Sequence, residues 1–172
     1  SVKTSAKDFV TVAASISLGN FVNETKNPMV SSLTASMLSK GTTLNDKFKF
    51  SEKLQKLGVN LNVSASTTKI NIGFKCLKKD LDQVVALLAE EIRNPLFDQK
   101  EFEKLKQQFT GNVQQNLNDP GERGDIALSQ AIYPKGNPNY SLSVEEDLNN
   151  IKNATLDEVK AFHKKYFGPA SM

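Results

Sequence analysis

Residues 27–42 read NPMVSSLTASMLSKGT and predict a short, buried helix on which the rest of the fold depends. Pro28 suits the first turn of a helix, because its missing N–H would have no intrahelical partner there. Gly41 lies where a left-handed C-terminal cap is expected. The apolar residues fall at helical spacing and form a wide stripe, which consists of Val30, Leu33 and Met37 with Met29 and Leu38 beside them. We therefore expect this helix to be largely buried.

The segments on either side of this helix predict strands. Residues 8–19 alternate apolar and polar side chains, which is typical of a half-buried strand. Residues 59–65 and 70–76 alternate in the same way across a short polar turn, so they predict an antiparallel hairpin. Cys76 falls on the apolar register of the hairpin, and we interpret it as a packed small hydrophobe rather than a reactive thiol.

The segment directly after Gly41 predicts a second helix. Thr43 is expected as its N-cap, with Asp46 three residues later completing a capping box. Gly58 is expected to end this helix. The inner side should consist of Phe48, Leu54 and Leu57.

From Lys79 onward the apolar spacing changes from two residues to 3.6. This change predicts two helices. The first closes at Asn94, and the second spans about residues 99–116. Another helix should follow the break at residues 119–121 and end near residues 133–134, and its apolar residues are Ile126, Leu128, Ala131 and Ile132.

Two further helices are predicted from capping boxes, Ser143 with Glu146 and Thr155 with Glu158. The last helix is expected to end at residues 168–169. This order of elements predicts an α+β fold, with an antiparallel sheet and helices layered on one face.

The chain has 172 residues, which favours one α+β domain over residues 1–172 that buries roughly 70% of its unfolded surface. Because it starts directly before a strand and stops just after a helix, we expect a fragment of a longer protein. The net charge of +3 is spread along the chain and the aromatic residues are mostly Phe, so nucleic-acid binding is not expected. No apolar run approaches the ~18 residues of a membrane span.

The order of elements and several phrases resemble the pitrilysin or insulinase family of zinc peptidases, which includes the mitochondrial processing peptidase. The resemblance covers nearly the whole chain. Its phrases are MLSKGT at 37–42, LGVNLNVSA at 57–65, DLDQVVALLAEE at 80–91, NPLFD at 94–98 and EVKAFHKKYFGPASM at 158–172.

Active members of that family carry His-x-x-Glu-His on the motif helix, where two His bind zinc and the Glu polarises a bound water. Aligned through MLSKGT, this pattern falls on Ser32, Ala35 and Ser36. Hydroxyls are poor zinc ligands and alanine cannot accept a proton. The family's third ligand, a Glu on a later helix, falls near Gly111. The resemblance therefore implies that this chain neither binds catalytic zinc nor cleaves peptides by itself.

Other catalytic arrangements are disfavoured. His163 is the only histidine, and its place on an amphipathic helix favours a packed side chain over a functional one. A serine hydrolase would need a nucleophile turn, and no G-x-S-x-G is present. Asp147 and the pair Glu145–Glu146 are candidate paired acids, but capping explains Glu146 and a solvated helix face explains the others.

The resemblance implies a role within a larger assembly. Family members consist of two homologous halves of two α+β units each, which enclose an unfolded peptide, and usually one half carries zinc. This chain is interpreted as the first unit of the zinc-free half. It would form the chamber wall and help to hold the peptide opposite the catalytic half, which is either fused or a separate subunit.

Two other functions remain open. One is a purely structural subunit, as in respiratory-complex core proteins, and a weaker one is a free-standing hydrolase of another mechanism. The resemblance to fused or paired bacterial members leads us to expect a bacterial protein of the cell envelope or the cytoplasm.

Overall fold

The computed structural model describes residues 8–19, 27–116 and 119–167. Within these ranges the chain forms a three-stranded antiparallel sheet and a set of helices. The strands are β1 (Phe9–Ser17), β2 (Asn62–Ala65) and β3 (Lys69–Leu77), and a 3₁₀ turn follows at Lys78–Asp80. The α-helices are α1 (Met29–Leu38), α2 (Lys47–Lys56), α3 (Leu81–Arg93), α4 (Gln99–Asn116), α5 (Pro120–Ile132), α6 (Val144–Asn153) and α7 (Leu156–Tyr166).

The sheet has the order β1-β3-β2, so the hairpin β2–β3 receives β1 on its other side. Phe9 lies opposite Leu77, and Val63 lies opposite Ile72. The alternation predicted for β3 is confirmed, because its even-numbered apolar residues, Ile70, Ile72, Phe74 and Cys76, are buried. The opposite face of β1 is exposed at Thr11, Ala13, Ser15 and Ser17.

Helices cover the buried face of the sheet. Val30 and Leu38 of α1, Ile92 of α3 and Phe162 of α7 pack in one core cluster with Ile70 and Ile72. A second cluster joins Leu33 and Met37 of α1 to Phe102, Leu105 and Val159. Helix α1 therefore lies between the sheet and the helices α4 and α7, and the prediction that it is largely buried is confirmed. Each fully buried apolar side chain of this kind contributes about 1.5–3 kcal/mol.

Helix α1 ends before the predicted glycine cap. Its C-cap is Ser39, and Gly41 starts the following turn with a φ of 115°. A β-carbon at Gly41 would lie 3.0 Å from the backbone nitrogen of Lys47, so a glycine is required here. Helix α3 holds this turn in place through Glu90, because Thr42 and Asn45 both donate side-chain hydrogen bonds to the Glu90 carboxylate.

The prediction that Thr43 is the N-cap of α2 is wrong. Asp46 is the N-cap, and its side chain accepts hydrogen bonds from the backbone N–H groups of Phe48 and Lys49. Thr43 lies in the preceding turn instead, where its backbone N–H donates a 2.8 Å hydrogen bond to the carbonyl of Asn94. Consequently Phe48 is 81% exposed, and Phe50 packs inward instead at 2% exposure.

Helix α5 forms as predicted, and none of its residues is buried. Leu128 and Ile132 are each 59% exposed, and Ala131 is exposed as well. The helix is held by polar contacts instead: Ser129 donates to the carbonyl of Asn139, and Gln130 donates to that of Ser141. Ile126 is the half-buried residue of its apolar face, and it lines a pocket together with Val144 of α6.

The predicted capping boxes are confirmed at the starts of α6 and α7. The predicted end of α7 at residues 168–169 lies outside the described residues. Within the described ranges, no helix combines the length and the apolar composition that crossing a membrane requires.

Candidate functional site

Ser32 lies in the first half of α1, on the side of the helix that faces the hairpin. Its hydroxyl donates a 2.9 Å hydrogen bond to the backbone carbonyl of Ala65, the last residue of β2. The side chain at this position of the motif helix therefore ties the helix to the end of an edge strand.

Ala35 and Ser36 are the other two residues that the sequence alignment predicts at the motif positions. Ala35 is 2% exposed and packs in the protein interior. Ser36 is half-buried, and its carbonyl accepts a hydrogen bond from the Ser39 hydroxyl at 3.2 Å. Neither side chain offers an imidazole nitrogen or a carboxylate, which are the groups that would hold zinc and activate its water.

Gly111 lies in the second turn from the end of α4 and is half-buried. A β-carbon there would meet no other atom within 4 Å, so the space around it admits a side chain. The neighbouring residues Asn112 and Val113 carry no carboxylate either. Within the described ranges, no group of three or more His, Cys, Asp or Glu side chains is placed to bind a metal ion. The donor set at Ser32, Ala35, Ser36 and Gly111 does not fit zinc.

A cleft of about 470 Å³ opens beside Ser32. It lies between the start of α1, the β2–β3 turn, the loop between α5 and α6, and the first turns of α6. Its walls are mostly apolar and include Pro28, Met29, Pro138 and Leu142. The charged residues that line it are Lys135 and Asp147.

Helix α6 and its capping box position the charges of this cleft. Glu146 accepts a hydrogen bond from the backbone N–H of Ser143 at the cap and also pairs with the ammonium group of Lys135. These contacts lower the pKa of Glu146, first through the Lys135 hydrogen bond, and Glu146 in turn raises the pKa of Lys135. The Glu146 carboxylate thus accepts the hydrogen bond that caps α6 and also forms the ion pair with Lys135.

Asp147 was expected on a solvated helix face, and this expectation is wrong. Asp147 is half-buried and lines the cleft, whereas Glu145 is exposed as predicted. Burial, together with the charge of Glu146, raises the pKa of Asp147 to about 6. The spacing of Asp147 in the sequence could have indicated this burial. Asp147 precedes the buried Ile151 by one helical turn and so lies on the same, inward face of α6.

His163 has a structural environment. Its Nε2 donates a 2.7 Å hydrogen bond to the carbonyl of Ile92, and its ring stacks on Phe167 and meets the edge of Phe97. Burial lowers its pKa, and the hydrogen bond to Ile92 acts in the opposite direction. Cys76 is buried at 3% exposure, opposite Val10 in the sheet, as expected for a packed side chain.

Sequence reasoning missed Glu91, which lies on the inner side of α3. Its side chain is 2% exposed, and its Oε2 atom has no hydrogen-bond partner among the described residues. Burial raises the pKa of this carboxyl to about 7. The adjacent Glu90 holds the turn at Thr42, so neighbouring glutamates of α3 have separate environments.

Comparison with known proteins identifies a family for most of this chain. A family model described as insulinase (peptidase family M16) matches residues 1–144. A non-peptidase homolog, YmxG of Helicobacter pylori, is 29% identical over 136 residues, which cover 78% of this chain. The alpha-1 subunit of the mitochondrial-processing peptidase of Dictyostelium discoideum is 25% identical over 141 residues, which cover 81%. This chain spans 31% and 21% of the lengths of these two relatives.

Solved structures share the fold. An inactive M16 peptidase domain from Pseudomonas fluorescens has a TM-score of 0.77 at 21% identity, over 90% of this chain and 37% of that chain. A protease from Helicobacter pylori has a TM-score of 0.78 at 20% identity, over 96% of this chain and 39% of that chain. The predicted α+β fold is thereby confirmed.

Proposed function

Since this chain belongs to the insulinase family, peptidase family M16, as the sequence resemblance predicted, we propose that it is a non-catalytic unit from the zinc-free half of a two-half peptidase. In this role it forms part of the chamber wall opposite the catalytic half. It also helps to hold an unfolded peptide there.

The observation that carries this proposal is the state of the motif helix. Helix α1 keeps its place at the centre of the fold, with Leu33, Met37 and Leu38 fully buried. The ligand positions along it carry a hydroxyl engaged with Ala65, a buried methyl group and a second hydroxyl. The scaffold of a peptidase site is thus retained without its zinc donors. The non-peptidase homolog among the relatives supports the same role.

Peptide holding is supported by the cleft beside Ser32. It is open to solvent, mostly apolar and lined by the start of α1, the β2–β3 turn, the loop between α5 and α6, and α6. Concave apolar surfaces with a few polar groups are the usual sites of ligand binding. In this proposal the cleft belongs to the surface that faces the chamber.

The proposed partner is a homologous half that carries the zinc, whether fused or a separate subunit. A stable interface needs about 1,000 Å² or more of buried surface. The exposed apolar side chains of Leu44, Phe48, Leu128 and Ile132 support the presence of such uncovered contact surface.

Zinc content is the first test of the proposal. The purified chain is dialysed free of metal, reloaded with zinc, washed, and analysed for bound metal. We expect well below one tightly bound zinc per chain, because no zinc donors occupy the motif positions. One equivalent of zinc, or turnover of a labelled peptide by the chain alone, would contradict the proposal.

A purely structural subunit is the second candidate, and reconstitution separates it from the first. A zinc-bearing half encoded nearby, recognised by an intact His-x-x-Glu-His, is purified and assayed with and without this chain. Peptide turnover that requires this chain supports the peptidase half. Complex formation with no effect on turnover, and no crosslinking of peptide to the cleft, supports the structural role.

A further inference from the structure

Helix α2 and the turn before it carry the two most exposed large apolar side chains of the described residues. Phe48 is 81% exposed on the helix, and Leu44 is 72% exposed in the turn. Phe48 and the buried Phe50 are two residues apart, so their side chains lie on nearly opposite sides of the helix. Packing of α2 against the core therefore accounts for Phe50 and leaves Phe48 in solvent.

The segment between α3 and α4 lies beside the same turn. The backbone N–H of Leu96 donates a 3.0 Å hydrogen bond to the carbonyl of Gly41. Leu96 is itself exposed, and the exposed Arg93 at the end of α3 precedes Asn94, whose carbonyl accepts from the turn. This end of the molecule thus combines exposed apolar and cationic side chains.

The turn and α2 are also strongly basic. Residues 40–56 contain five lysines and two acidic residues, and their net charge of +3 equals that of the whole chain. Both carboxylates are already engaged, because Asp46 caps α2 and Glu52 pairs with Lys56. Lys53 is exposed and has no ion pair among the described residues. The surface therefore attracts an anionic partner.

The mixture of lysines with exposed Phe and Leu indicates the kind of partner. The cores of protein–protein interfaces are depleted of lysine. Surfaces that dock on membranes have the opposite composition, since Phe and Leu enter the boundary of the acyl chains while lysines contact anionic headgroups. Lysine stems also pack on apolar material with the ammonium group in water. The composition favours a lipid surface, and Leu128 and Ile132 of α5 remain for a protein partner.

We propose that α2 and the turn before it dock this chain on the surface of a membrane that contains anionic phospholipids. Phe48 and Leu44 insert at the level of the headgroups, and the lysines of residues 40–56 contact the lipid phosphates. Docking of this kind is peripheral. It goes beyond the proposed function and does not depend on it, since the cleft beside Ser32 takes no part in it.

The test measures binding of the 172-residue chain to phospholipid vesicles by co-sedimentation. One set of vesicles consists of phosphatidylcholine alone, and the other is an equimolar mixture of phosphatidylcholine and phosphatidylglycerol. We expect the chain to bind the anionic vesicles about tenfold more tightly at low salt. Added salt should reduce this difference.

The double variant Leu44→Ser and Phe48→Ser should bind the anionic vesicles about tenfold more weakly, because both inserting side chains are lost. The matched control is Leu128→Ser with Ile132→Ser, which removes exposed apolar side chains from α5 and should bind like the wild-type chain. Circular dichroism and the melting temperature establish that both variants remain folded.

The contribution of charge is measured with Lys49→Gln and Lys53→Gln together, which should weaken binding about tenfold. The control Lys160→Gln with Lys164→Gln removes the same charge from exposed positions of α7. Its binding should match that of the wild-type chain, apart from a small effect that disappears in added salt.

Three results would overturn the proposal. The first is no binding to the anionic vesicles, and the second is equal weakening by the α2 variants and their α7 and α5 controls. The third is a complex with the zinc-bearing half that requires Phe48, in the absence of vesicle binding, which would assign this surface to a protein interface. None of these results bears on the zinc-free role proposed for α1.

Discussion

The backbone N–H of Leu96 donates a 3.0 Å hydrogen bond to the carbonyl of Gly41, which joins the end of the motif helix to the segment after α3. Thr42 and Pro95 form an isolated β-bridge beside it. The phrases MLSKGT and NPLFD, which are distant in sequence, therefore form one structural unit. The glycine is essential to this unit because its φ of 115° is rarely adopted by other residues.

We expect Gly41→Ala to lower the free energy of unfolding by about 2–3 kcal/mol, since the new β-carbon meets the Lys47 backbone in a strained conformation. Urea unfolding measures the change. The matched control is Gly58→Ala, where φ is 61° and no atom lies within 4 Å of the added carbon. The control should cost about 1 kcal/mol. Equal costs at the two positions would contradict this account of the turn.

Replacing Ser32 by Ala removes the hydrogen bond to the carbonyl of Ala65 and leaves that carbonyl without this donor. The expected loss in the free energy of unfolding is about 0.5–1.5 kcal/mol. Ser36→Ala is the control, because Ser36 contributes its backbone carbonyl rather than its hydroxyl to the bond from Ser39. Its effect should stay within about 0.5 kcal/mol. Hydrogen exchange at β2 should rise in the Ser32 variant alone.

Rebuilding the motif as Ser32→His, Ala35→Glu and Ser36→His should not produce a peptidase. The third carboxylate is still absent near Gly111, and glutamate at the buried position 35 should cost about 2–4 kcal/mol of stability. Labelled-peptide turnover and thermal unfolding measure the two effects. The double variant without Ala35→Glu controls for the stability loss. Clear turnover by the triple variant would show that the third-ligand argument fails.

The buried carboxyl of Glu91 should make stability dependent on pH. Its pKa of about 7 in the folded chain lies above the ordinary value of 4.5, so the folded state binds more protons between these values. The free energy of unfolding should therefore fall as pH rises from about 5 to 8, by about 3 kcal/mol in total. Urea unfolding across this range measures the fall.

Glu91→Gln should remove the part of this pH dependence that lies above about pH 6.5, because the amide does not ionise, whereas the smaller fall from Asp147, whose pKa is raised to about 6, should remain at lower pH. The variant should be more stable than the wild-type chain at about pH 8 and should lose this advantage near pH 5. Glu145→Gln, at an exposed position of α6, provides the charge-matched control and should leave the slope unchanged. A wild-type slope that survives in the Glu91 variant would assign the effect to another group.

Periodicity and capping patterns predicted most of the fold. The strands and the capping boxes at Ser143 and Thr155 depend on neighbours in sequence, so local reasoning found them. The start of α2 was missed because the bond from Thr43 to Asn94 crosses the fold. The exposure of Leu128 could not be predicted, because an apolar stripe does not reveal what covers it.

Some features of the candidate site could likewise be predicted from the local sequence and others could not. The motif positions at Ser32, Ala35 and Ser36 followed from the register of a local phrase. The cleft did not, because the hairpin turn and the loop before α6 meet only in three dimensions. Asp147 was assigned to solvent since charged residues in a first helical turn usually are exposed, and its inward direction depends on the burial of Ile151.

The sheet order also has a consequence for biosynthesis. Strand β1 precedes β3 by the whole motif helix, α2 and β2, yet β3 is its hydrogen-bonding neighbour from Phe9 opposite Leu77 onward. The hairpin β2–β3 closes a short loop and forms early, whereas β1 must wait on the ribosome until β3 has emerged. During that interval the edge of β1 has no partner strand, and unpaired strand edges of this kind favour aggregation.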